Sequence, residues 1–143
     1  MRWLAAGIAI VVLLMVGLAA WIFLPPPTSG PGWRLGPATW HQIESPDEGP
    51  RVIVYPAGGE EVGIGVTVFG SSSCPPRLRD VRIGSTAIAV DVRGDFGFGA
   101  CTADAAPHSF GILLQRGALP PLPFTVVVSH AGAAYEHEVT ELP

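Results

Sequence analysis

Cys74 and Cys101 are the residues whose type and spacing most directly imply chemistry. An all-cysteine zinc site needs four thiolates and a redox pair needs C-x-x-C spacing, whereas these two stand 27 positions apart. A single cross-link is the chemistry left to them. Closing a loop of that length removes chain entropy from the unfolded state worth roughly 3.5 kcal/mol. For a small domain this is a large share of the total stability.

Four histidines follow in interest: His41, His108, His130 and His137. Metal ligands must converge, but His130 and His137 flank a turn expected at Ala131-Gly132. In that hairpin His137 falls opposite Val126 or Val127, several positions from His130. Glu136 and Glu138 share the face opposite His137, as on an exposed edge strand. Ser71, Ser72, Ser73, Asp104 and His108 are the residue types of a Ser-His-Asp site, and the cross-link would bring their loops together. No G-x-S-x-G elbow accompanies them. Loop serines beside Cys-Pro-Pro normally satisfy backbone groups, and Asp104 suits an Asx turn.

No catalytic residue, metal ligand or cofactor is therefore expected. Ser71, Ser72, Ser73, Thr102, Asp104 and His108 remain as candidate binding loops joined by a Cys74–Cys101 disulfide. Arg93-Gly94-Asp95 matches the tripeptide that integrins bind, but a glycine turn at a strand end accounts for it. Arg77, Arg79 and Arg82 lie near Asp80 and read as a solvated strand with local pairing. The chain contains no P-loop, no G-x-G-x-x-G and no repeat.

The elements that would position these residues have period two from Arg51 onward. Val52 and Val54 begin a strand, and Ala57-Gly58-Gly59-Glu60 turns it into a second one carrying Val62, Ile64, Val66 and Val68 on one face. Leu78–Ile83 and Ser85–Val92 form the next pair, joined at Gly84. Phe110, Ile112 and Leu114, then Phe124, Val126 and Val128, then Tyr135, His137 and Val139 complete the series. About seven short strands in this space suggest an all-β, immunoglobulin-like two-sheet sandwich after one N-terminal transmembrane helix, with a small β-barrel as the other architecture.

Before the strands lies a different composition. Trp3–Leu24 is free of charge, amide and hydroxyl, and as a helix reaches roughly 33 Å, enough to cross a bilayer. It is longer than a signal peptide's apolar region and runs into Trp21-Ile22-Phe23-Leu24-Pro25 without a small-residue cleavage site. Residues 1–24 are thus expected to be an uncleaved anchor, with Trp3 and Trp21 at its two interfaces. Residues 25–50 carry seven of the chain's 15 prolines and read as a linker leaning to polyproline II, although Trp33, Trp40 and Ile43 are unusual for a pure tether. Residues 51–143 form the β-domain.

Arg2 precedes the apolar run and no basic residue follows it until Arg34, and disulfides belong to oxidising compartments. Both arguments place the N-terminus inside and the C-terminal domain outside. The chain has no lysine, and its net charge of −4 disfavours nucleic acid as a partner.

The segments Gly70-Ser71-Ser72-Ser73-Cys74-Pro75 and Cys101-Thr102-Ala103-Asp104-Ala105-Ala106-Pro107 resemble uncharacterised membrane-anchored and lipoprotein domains of high-GC Gram-positive bacteria, over about residues 62–129. The resemblance implies an exported paired-cysteine β-domain and carries no activity with it. The chain departs from the lipoprotein members in lacking an acylatable cysteine, so its attachment falls to the N-terminal helix. The function expected is that of a non-catalytic extracytoplasmic interaction module meeting a membrane-protein or cell-envelope partner. An exported small-ligand or metal binder, or a hydrolase without a familiar motif, is the other reading.

Overall fold

A computed structural model describes residues 29–37, 49–94 and 101–143. The expected membrane anchor, His41, the Trp40–Ile43 stretch and Asp95 lie outside the described residues. Among those described, no helix is long and apolar enough to cross a membrane.

The described residues form strands β1 (Ser29–Gly30), β2 (Trp33–Gly36), β3 (Arg51–Gly58), β4 (Glu61–Gly70), β5 (Arg77–Ile83), β6 (Ala87–Arg93), β7 (Ala106–Gln115), β8 (Phe124–His130) and β9 (Ala133–Val139). They make two open sheets, ordered β1-β2-β7-β4-β3 and β5-β6-β8-β9. Each sheet has free edges, so neither closes into a barrel.

Alternation decides which face each strand buries. Ile64, Val66, Val68, Ile112 and Leu114 come from the first sheet and Ile88, Val90, Val92, Phe124, Val126 and Val128 from the second. All are at most 2 % exposed, and they pack into one core between the sheets. At about 1.5–3 kcal/mol for each buried side chain, this layer is the main source of stability.

Two hairpins turn on residues of positive φ. Gly58 (φ 94°) and Gly59 (φ 59°) join β3 to β4, and Ala131 (φ 51°) and Gly132 (φ 81°) join β8 to β9. At Ala131-Gly132, left-handed backbone at both central positions matches the right-handed twist of the paired strands.

The seven strands expected from periodicity are all present, and β1 and β2 are additional. Both fall in the stretch expected to be linker. Their hairpin turns on Pro31-Gly32, with Gly32 at φ 77°, the Pro-Gly order of a type II turn. Trp33, 6 % exposed, drives the docking by burying its indole against the core. β2 then completes its hydrogen bonds along β7, from Trp33↔Leu114 to Gly36↔Gly111. The folded unit therefore begins before residue 51.

β6 and β8 run parallel, whereas every other pairing is antiparallel. The chain leaves β6, adds β7 to the opposite sheet and returns as β8 in the same direction. Immunoglobulin sheets are antiparallel, so the arrangement departs from that pattern at the centre of the second sheet.

Candidate functional site

The Cys74–Cys101 disulfide forms as the spacing implied, with the two Cα atoms 5.5 Å apart. It joins the loop leaving β4 to the loop entering β7. These strands are neighbours, paired from Glu61↔Gln115 to Gly70↔Ala106. The cross-link thus extends one long ladder at its end and does not bridge the two sheets.

Five of the six candidate residues meet beside it. Ser71 Oγ lies 2.8 Å from Thr102 Oγ1 and 3.1 Å from Ser73 Oγ. Ser73 Oγ lies 3.1 Å from Thr102 Oγ1 and accepts the Thr102 amide at 2.8 Å. The Ser72 amide donates to Asp104 Oδ1 at 3.2 Å, and the Thr102 hydroxyl donates to the same oxygen.

Those partners fix the direction of the network. Because Thr102 gives its proton to Asp104, the hydroxyls of Ser71 and Ser73 must donate toward Thr102 if they bond it at all. The polarity runs inward to one carboxylate. Donation from Ser72 first and then from Thr102 lowers the Asp104 pKa to about 2, because both bonds favour the ionised form. The result is a fixed negative charge among ordered hydroxyls on an exposed surface.

His108 stands apart from this cluster. It pairs with Val68 across the ladder, on the same side of β7 as Ile112 and Leu114, so its ring points toward the interior at the end of the sandwich. Its Nε2 is buried without a hydrogen-bond partner among the described residues. His130 approaches the same end from the other sheet, and its Nε2 lies 2.8 Å from the Phe69 carbonyl oxygen. His137 pairs with Val126, one of the two partners expected from the hairpin. Among the described residues no three His, Cys, Asp or Glu side chains gather as a metal site would require.

Among the described residues, two of the open grooves take in these histidines. One of about 620 Å³ runs beside the β8–β9 turn and includes Asp91, Arg93, Ser129 and His130. Its charges are already matched, since Arg93 Nη2 lies 3.1 Å from Asp91 Oδ2. The other, about 650 Å³, lies between β3 and β9 and includes Val54, His137, Val139 and Leu142.

The chain matches no protein-family model, no curated protein and no solved structure.

One polar cluster was not anticipated from sequence. Arg34 Nε and Nη2 donate to Glu61 Oε1 and Oε2 at 3.0 and 2.6 Å, and Gln115 Nε2 adds a bond to Oε1 at 3.1 Å. Three adjacent strands, β2, β4 and β7, are tied at the end opposite the disulfide. The hydrogen bond from Arg34 lowers the Glu61 pKa, and the same bond raises that of Arg34. Arg34 gave no signal because it stood in apparent linker, far in sequence from Glu61.

Proposed function

We propose that this protein is a membrane-anchored extracytoplasmic interaction module without catalytic activity, whose disulfide-tied end meets a membrane-protein or cell-envelope partner. The N-terminal apolar helix holds it in the membrane with the N-terminus inside and the β-domain outside. An immunoglobulin-like two-sheet frame, altered by its parallel pair, would serve as the rigid support.

The observation that carries this reading is the exposed network around Asp104. Ser71, Ser72, Ser73 and Thr102 are ordered by bonds to one another and to the carboxylate, beside a covalent cross-link. A surface ordered before contact loses less entropy on binding than a mobile loop does. Its acceptor oxygens and negative charge complement a partner rich in N–H donors. Hydroxyls committed toward one carboxylate make poor nucleophiles, because a carboxylate with its pKa lowered to about 2 is too weak a base to take their proton.

The test is recovery of partners from detergent-solubilised membranes with the tagged full-length chain, beside Asp104→Ala and Thr102→Val variants. The proposal expects a partner recovered with the parent chain and lost with both variants, while the disulfide stays intact by mass spectrometry. Recovery of the chain alone across mild detergents, or of the same partner with either variant, overturns it. A reporter fused after Pro143 that is active only in the cytoplasm would overturn the orientation.

A further inference from the structure

On the outward face of the second sheet, Arg82, Ala89, Val127 and Glu136 stand in one cross-strand row, each the register partner of the next. The alternate residues Val81, Val90 and Val128 are buried in the core, which fixes the row as outward. The neighbouring rows are also small. Ala87 and Thr125 lie on one side, ending at Glu138, and Asp80, Asp91, Ser129 and Ala134 on the other.

The face is therefore flat, with Arg82 beside Asp80 on β5 and Glu136 with Glu138 on β9. Arg82 and Glu136 are three strand spacings apart, about 14 Å, too far to pair within one chain. Arg82 has a local partner, Asp80 Oδ2 at 3.3 Å, but both side chains are more than half exposed, 76 % and 51 %. Glu136 and Glu138 are exposed and have no ion pair among the described residues.

We infer that this face docks on the same face of a second copy, about a two-fold axis parallel to the strands and between β6 and β8. That rotation sets β5 over the partner copy's β9. It places Arg82 over Glu136 twice, with Ala89 over Val127 between them. A two-fold axis perpendicular to the strands would instead set β5 over β5 and β9 over β9, leaving Glu136 and Glu138 with no arginine opposite them. The charge pattern thus selects one of the two symmetric arrangements.

Four strands of seven residues present roughly 450 Å² of flat face, below the ~800 Å² each partner buries in a standard interface. The dimer is accordingly weak and salt-sensitive. It leaves the disulfide-tied end free.

Sedimentation equilibrium of the full-length chain in density-matched detergent tests this, at low and high salt and up to about millimolar protein. The parent chain should self-associate to a dimer that weakens as salt rises. Arg82→Glu and Glu136→Arg should each weaken it about tenfold or more, and the two together should restore it, because the reversed charges again oppose. Ala89→Arg, which fills the flat centre, should abolish it, with circular dichroism confirming the fold. The inference is overturned by a monomer at every concentration, by a dimer that ignores the single reversals, or by a double variant no better than the singles.

Discussion

His130 Nε2 on β8 donates to the carbonyl oxygen of Phe69 on β4, at 2.8 Å, and so links the two sheets at one end of the core. The β3–β4 ladder ends at Arg51↔Thr67, short of Phe69. The imidazole supplies a donor beyond that end.

His130→Ala should therefore destabilise the domain by about 1–2 kcal/mol, the usual consequence of leaving a partly buried acceptor unmet. Denaturant unfolding measures it. Amide exchange should show the loss concentrated at the ends of β4 and β8.

Cys74→Ser together with Cys101→Ser should lower stability by up to roughly 3.5 kcal/mol, the loop-closure value for this spacing. Parent and variant can be compared by chemical denaturation without reductant. A difference below about 1 kcal/mol would mean that the Asp104 network holds the loops without the cross-link.

Asp104 fixes a pH dependence. Its pKa is lowered to about 2 in the folded chain and returns to about 4 on unfolding. The stabilisation is complete above about pH 4 and is lost as pH falls through that interval toward about 2. Glu61, lowered by Arg34, acts in the same direction. Asp104→Asn should flatten this part of the stability profile, and acid titration followed by circular dichroism reads it.

Ala131 adopts φ 51°, a left-handed conformation that disfavours a residue with a Cβ, and Gly132 follows at φ 81°. Ala131→Asn produces the Asn-Gly pair that such turns favour and should raise stability by about 0.5–1 kcal/mol. The increase would appear as a higher thermal midpoint with no change in the unfolding slope against denaturant.

Trp33→Ala should cost about 3–5 kcal/mol, because it empties a core position supplied by a two-stranded extension of the first sheet. A variant as stable as the parent would show β1 and β2 to be ornaments on a domain beginning at Arg51.

Local alternation explains how much of this was legible in the sequence. Val62 to Val68 and Phe124 to Val128 reveal their buried faces directly, and the Gly58-Gly59 and Gly132 turns show where strands reverse. Turn length alone narrowed the partner of His137 to Val126 or Val127, and Val126 is the one observed. What stayed hidden depends on contacts between distant segments. Trp33 lies among prolines and glycines, so its strand has no periodic signal of its own and forms only because β7 accepts it. The parallel β6–β8 pair is decided by which sheet β7 joins, and no local pattern records that choice. In the candidate site the two loops could be named from the cysteines. The inward bonding of their hydroxyls to Asp104 could not, because it depends on side-chain direction across a gap of about thirty residues.

The strand at each free margin carries its own obstacle to lateral growth. β1 is two residues long, β3 includes Pro56 and an irregular register between Pro56 and Gly58, and β5 has a register shift between Leu78 and Asp80 beside its arginines. On β9, a second copy aligned antiparallel about His137 would bring Glu136 against Glu138. Crowded side by side on a surface, such molecules resist zipping into ribbons, which protects a strand-rich protein from fibre formation where its local concentration is high.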